Sequence, residues 1–382
     1  MPAIYLDHNA TTPLARELER PMLEAARTLF GNPSSAHRLG REGRRLVDEA
    51  REKVARLLGC AATVVVFTSG GSEADSLAIL GAARARGKPG HVITVATEHP
   101  AVLTAVEALE RQGHRVTRLG VDGAGRVRPG EFEAALAPDT FFASVMLANN
   151  ETGTLQPIAE LSRMARARGV LLHTDAVQAM GKVPVRVDDL GVDLLSLAAH
   201  KFYGPKGVGA LYVRKGVELA RLLAGGHQER DLRPGTENVS GIVGLGLACE
   251  LAQGYLDDES KRQLALRELL FATLARAVPD VQRNSPVEEC LPNTLHVSFP
   301  GADAEGLTIA LDLEGVYVSA GAACASGARE PSHVLAAMGV PRERALCSLR
   351  LSLGRSSTAA QVRAAARTIA ACVKHSREVH RG

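Results

Sequence analysis

The chain has 382 residues, 46% of them hydrophobic, 23% charged and 3% aromatic, with a net charge of +3. That length fits two or three domains of roughly 100–200 residues, and the balanced charge and scarce aromatics exclude the basic stripe or stacking platform of a nucleic-acid binder. No apolar run in the sequence approaches the roughly 20 residues that span a bilayer, and six scattered cysteines with no Cys-x-x-Cys pair argue against a disulfide framework or a structural zinc.

The N-terminal "MPAIYLDHNATTP" lacks the basic-then-apolar pattern of a secretory leader, so a cytoplasmic protein with no membrane association is expected. "RLGREGRRLVDEAREKVARLLG" carries Leu39, Leu46, Val47, Val54 and Leu58 at helical spacing. Its alternating charges predict a solvated helix face. "TVVVF" (63–67) is a short β-branched strand. "SEADSLAILGAARARG" predicts a helix opened by Ser72, with Asp75 three residues on as in a capping box. Strands follow at 91–95, 115–119, 140–147, 170–175 and 193–198, with helices near 101–112 and 157–168. Continuous apolar strands separated by amphipathic helices predict an α/β fold, a mostly parallel sheet covered by helices on both faces.

The pattern changes after about residue 253. A long helix is expected over 258–277, then alternating strands at 294–299 and 346–354 and helices near 303–312 and 358–373. This predicts a smaller α+β domain. The expected division is a large domain, 14–257, and a small one made of 1–13 and 258–382.

Several loops should open on one edge of the large sheet. "FTSGGSEADS" turns at Gly70 and Gly71 into a helix whose free N–H groups and dipole suit a phosphate; a plain strand–helix turn is the alternative. Asp175 ends a buried strand at the edge where such sheets bind ligands, with Gln178 three residues on. His99 follows another strand, and Asn149, Asn150 and Glu151 follow a third. "LAAHKFYGPKG" delivers Lys201 to the same edge from the apolar run "DLLSLAA", before a second run, "VGALYV". An amine, a carboxylate and a phosphate cradle fit a Schiff base with pyridoxal phosphate, in which the carboxylate keeps the pyridine nitrogen protonated. Cys324, in the small-residue stretch "SAGAACASG", is a candidate reactive thiol. The other five cysteines read as structural.

The motifs "YLDHNATTP", "GNPSSAHRLG", "FTSGGSEAD", "TEHPAVL", "NNETGTLQPI", "HTDAVQAMGK", "HKFYGPKGVGALY", "RPGTENVSGIVGLGLA", "EPSHVLAAMG" and "SLRLSLGR" occur in this order. With them the chain resembles the pyridoxal-phosphate-dependent cysteine desulfurases, the NifS/IscS-like branch of the class V aminotransferase group of fold type I. The resemblance implies pyridoxal 5'-phosphate as cofactor, L-cysteine as substrate, a homodimer, and a sulfur-acceptor protein of an iron–sulfur or thiolation pathway as partner. It implies that Lys201 forms the Schiff base and moves protons. Asp175 would pair with the pyridine nitrogen, Gln178 with the ring hydroxyl, and His99 would stack on the ring and help with proton transfer. Gly71, Ser72 and His200 would hold the phosphate, and Thr236 the phosphate of the other subunit. Asn150 and Arg350 would bind the substrate carboxylate, and Cys324 would take the sulfur as a persulfide. Ala198 stands where many relatives have a serine, which implies one phosphate contact fewer. The alternatives are a related enzyme, such as a selenocysteine lyase, cysteine lyase or aminotransferase, or a non-catalytic protein on the same fold.

Overall fold

The computed structural model describes residues 3–320 and 330–379. The apolar runs form a seven-stranded sheet in the order Val65–Thr68, Gly209–Val213, Leu194–Ala198, Leu171–Asp175, Thr140–Ser144, His91–Val95, Arg115–Leu119. Gly209–Val213 runs antiparallel to both neighbours, and the other pairs are parallel. Successive side chains point to opposite faces. Val66, Val92, Phe142 and Leu194 therefore join one core with the helices Gly71–Arg86 and Pro100–Arg111. Phe67, Ile93, Ala143 and Leu195 join another with Arg38–Leu58 and Ile158–Ala167. A sheet buried on both sides is what near-continuous hydrophobic strands require.

A third core contains Ile4, Leu6, Leu270, Leu295, Leu351 and Ile369. It forms around a four-stranded sheet, Ser319–Ala320, Ser348–Ser352, Thr294–Ser298 and Gln282–Arg283 in that order, all pairs antiparallel. Ile4–Tyr5 pairs in parallel with Val316–Tyr317.

Three local expectations are corrected. The helix expected over 258–277 begins far earlier, as Val239–Ala277, 39 residues long. Its glycines at 241, 244 and 246 mask the helical pattern, yet each lies against a neighbour. A Cβ on Gly246 would sit 2.7 Å from the Ala50 Cα, so Gly246 permits close packing with Arg38–Leu58, while Gly244 lies against Met22 and Pro205 and Gly241 against Asn238. The first half of the helix feeds the core beneath the large sheet and the second half the third core. Half of its apolar window is buried, although length and composition alone would let the helix cross a membrane.

Ser72 does not cap its helix. Gly70 occupies the cap position with no side-chain bond, Asp75 points inward at 1% exposure, and the Glu73 carboxylate accepts from the Ser69 N–H at 2.7 Å. Nor is the charged face of Arg38–Leu58 wholly solvated. Arg45 pairs in the open with Glu42 and Glu49, but Arg51 grips the buried Glu229 through two nitrogens at 2.7 and 2.6 Å and lies over the Phe67 ring.

Candidate active site

The loops leaving the carboxyl ends of the parallel strands enclose a cleft of about 360 Å³. It is lined by Gly71, Ser72, His99, Asn150, Asp175, Gln178, His200, Lys201 and Arg350 among the expected residues. Ala198 also lines it. Thr236 does not. It is exposed, in a separate pocket beside Phe30 and Asn32. Cys324 lies outside the described residues. A larger groove of about 930 Å³, walled by Arg44, Arg51 and Glu229, shares no residue with the cleft.

Lys201 ends a short 3₁₀ turn, Ala199–Lys201, after its strand. The turn is tight because the chain doubles back on it. A Cβ at Gly204 would lie 2.6 Å from the Ala199 Cβ, and Gly207 has φ of 77°, a left-handed conformation natural to glycine. The Lys201 amine donates to the carbonyls of Asn9, at 2.6 Å, and Ala10, at 2.9 Å. Burial, then the Arg350 charge, push its pKa down to about 8, against the pull of Asp175 and Asp7.

Asp175 accepts from the Val177 N–H at 2.8 Å. Burial pushes its carboxyl up, while that bond, His99 and Lys201 pull it down. Two more buried carboxyls interact with it, Asp75, which also lines the cleft, and Glu98. Burial and the Asp175 charge push both well up, so both stay protonated far above the usual range. Each has one oxygen without a partner among the described residues. The Asp75 carboxyl lies 3.6 Å from His173, whose ring nitrogens are engaged by Ser144 and Ser196 and which burial holds neutral, down to about 3.

His99 caps its helix: the Nδ1 accepts from the Ala101 N–H at 3.1 Å. The neutral ring therefore carries its proton on Nε2, and burial lowers its pKa. His200 contacts the Thr11 hydroxyl, and burial, then Lys201, push it down to about 4. The Arg350 guanidinium reaches the Asn150 carbonyl at 3.0 Å and the Asp7 carboxylate at 2.8 Å. Its Nε is buried without a partner among the described residues.

These residues fit pyridoxal phosphate. A Cβ on Gly71 would meet the Val177 Cγ2 at 2.8 Å, so only glycine keeps the helix N-terminus this close to the cleft floor. The N–H groups of that first turn suit a phosphate. The unpaired Arg350 Nε suits a carboxylate, and the amine of Lys201 stands in the same cavity as the carboxyl of Asp175.

Sequence reasoning missed Asp7, Asn9, Lys182 and the Asp75–Glu98 pair. The first two follow the N-terminal strand Ile4–Tyr5, which only tertiary pairing brings here. Asp75 was given a cap role. Glu98 precedes His99 in the motif "TEHPAVL", and that adjacency was the available signal. The five described cysteines are free thiols. Burial pushes Cys60 and Cys290 up to about 11 and raises Cys249, Cys347 and Cys372 as well, which suppresses their thiolates.

The profile of the family described as aminotransferase class-V matches residues 4–364. The cysteine desulfurase IscS of Dictyoglomus turgidum is 49% identical over 356 residues, 93% of this chain and 90% of that relative. A solved structure titled NifS-like protein superposes with a TM-score of 0.92 at 38% identity, covering 98% of this chain and all of that one. Another, titled SspA in complex with cysteine, has a TM-score of 0.82 at 36% identity, covering 92% and 98%. With its two-sided sheet and its cleft at the strand ends, the chain belongs to the class-V aminotransferases, and within them to the cysteine desulfurases.

Proposed function

We propose that the cleft holds pyridoxal 5'-phosphate covalently on Lys201 and releases the sulfur of L-cysteine to Cys324, leaving L-alanine. The observation that carries this is one cavity containing the Lys201 amine, the Asp175 carboxyl and the first turn of Gly71–Arg86. When bound, the cofactor supplies an aldehyde to capture amines and a protonated ring that draws electrons from the substrate carbon. Asp175 would balance the ring charge, and the raised pKa values of the buried Asp75 and Glu98 oppose a gathering of three negative charges there. Gln178 would hydrogen-bond the ring hydroxyl, His99, with its proton on Nε2, would support the ring, and Gly71, Ser72 and His200 would hold the phosphate.

A lysine near its pKa at neutral pH both releases and accepts protons, so Lys201 serves as the proton carrier at the substrate carbon. Arg350 and Asn150 hold the substrate carboxylate. Cys324 forms a sulfur–sulfur bond as the carbon–sulfur bond breaks. The electron pair stays with carbon, which takes a proton and leaves as alanine. The chain on either side of the Cys324 segment is anchored at the cleft. Ser319 and Ala320 pair with Arg350 and Leu349, Ser332 donates to the Glu151 carboxylate at 2.5 Å, and His333 meets the Glu98 carbonyl at 2.9 Å.

The structure titled SspA in complex with cysteine supports L-cysteine as substrate. The same reading assigns a homodimer, with Thr236 reaching the partner's phosphate, a protein sulfur acceptor, and a cytoplasmic location. It assigns 14–257 to a large domain and 1–13 with 258–382 to a small one, so that the boundary falls inside the helix Val239–Ala277. The test is to load the protein with pyridoxal phosphate, add L-cysteine, and follow alanine by chromatography and Cys324 by peptide mass. The expected result is stoichiometric added sulfur on Cys324 and no cofactor absorbance band in Lys201→Ala. Sulfur on another cysteine, or undiminished desulfuration by Cys324→Ala, overturns the reading and favours a lyase.

A further inference from the structure

Lys182 is buried at 7% exposure. Among the described residues no carboxylate lies within ion-pair distance of it. Its amine donates to the backbone carbonyl of Gln178 and to the Gln178 side-chain oxygen, both at 2.9 Å. Burial, then the charges of Lys201 and Arg350, push its pKa well below the usual lysine range. A buried amine is costly to keep unless it is hydrogen-bonded, and both of these bonds go to Gln178.

The Gln178 Nε2 donates to the Asn9 carbonyl at 2.8 Å. A carbonyl only accepts, so the amide nitrogen must face Asn9 and its oxygen must face Lys182. That same Asn9 carbonyl accepts from Lys201 at 2.6 Å. A continuous chain of bonds thus runs Lys182, Gln178, Asn9, Lys201, and leaves the second Nε2 hydrogen free to serve the cleft that Gln178 lines.

We propose that Lys182 is a positioning residue, which locks the Gln178 amide with its nitrogen toward Asn9 and the cofactor pocket. The proposal rests on the reading that the cleft binds pyridoxal phosphate. Without Lys182 the buried Gln178 oxygen loses its side-chain donor, and the amide turns or withdraws. The bond to Asn9 then weakens, and the donor to the cofactor is no longer held in place.

The test is the dissociation constant of pyridoxal phosphate, by absorbance titration of the folded, cofactor-free protein, with the thermal midpoint measured separately. Lys182→Met is expected to weaken cofactor binding about 5- to 50-fold, the cost of an unsatisfied buried acceptor. In a Gln178→Ala background the same change is expected to alter it less than about twofold, because the two act as one unit. Lys182→Gln, neutral but still a donor, is expected to stay within about threefold of wild type, and it decides the matter if Lys182→Met does not fold. Wild-type affinity in Lys182→Met, an equal loss with and without Gln178, or a loss beyond about threefold in Lys182→Gln overturns the proposal. Wild-type protein that takes up no cofactor overturns instead the reading beneath it.

Discussion

Lys201 is set by its surroundings more than by its neighbours in sequence. Two backbone carbonyls, of Asn9 and Ala10 in the turn after the N-terminal strand, hold its amine, and burial with Arg350 brings it down to about 8. Only the neutral amine attacks an aldehyde. Below the folded pKa the neutral fraction, and with it the rate of cofactor capture by the cofactor-free protein, should rise about tenfold per pH unit and level off above about 8. Stopped-flow absorbance between pH 6 and 9 checks this, and a flat profile would refute it. The sign for stability follows the same shift. The unfolded lysine keeps its proton to higher pH than the folded one, so Lys201 costs stability below about 8 and the cost fades as pH rises toward the unfolded value.

At the scale of elements, the turn Glu229–Asp231 is held against strain. Glu229, Arg230 and Asp231 all have positive φ, at 44°, 60° and 63°, an uncommon run for residues other than glycine. The buried Glu229 carboxylate offsets that cost by accepting from Arg51 and from the Phe67 N–H at 2.7 Å. It thereby ties the helix Arg38–Leu58, the strand Val65–Thr68 and the segment leading to Thr236. Glu229→Ala leaves a strained turn and an unpaired, mostly buried arginine, and is expected to cost about 3–5 kcal/mol. Denaturant unfolding of the cofactor-free protein measures it. A loss below about 1 kcal/mol would mean the turn is not held by this pair. The alternating charges of the helix concealed this, because a charge pattern does not say which arginine a distant glutamate will meet.

For the molecule as a whole, two sets of buried groups oppose each other in acid. Burial lowers His8 and His200 to about 4 and His173 and His296 to about 3. Their contribution is present above the unfolded histidine value and is lost as pH falls below about 6.5. Glu98 is raised, by burial first and then by Asp175, so its contribution is full in acid and is lost as pH rises through its folded pKa. Glu98→Gln keeps an acceptor for the Met146 N–H, which now meets the Glu98 carboxylate at 2.6 Å, and removes the titration. The variant should match wild type near pH 4 and gain on it as pH rises, by about 2–4 °C in melting temperature for each kcal/mol. A difference independent of pH would show that Glu98 does not titrate with folding.

The sequence by itself determined the α/β class, the strands and helices of the large sheet, the loops that carry His99, Asp175 and Lys201, and the family. These follow from apolar periodicity and from motifs, which are local properties of the chain. The tertiary structure alone decided that Asn9 reaches the cleft and Asp7 pairs with Arg350, that Asp75 turns inward and interacts with Glu98, that Lys182 holds Gln178, and that one helix of 39 residues serves two cores. Each is a contact between residues far apart along the chain or a choice of which helix face is buried. Burial and pairing across such distances depend on how the elements pack, and no local pattern records them.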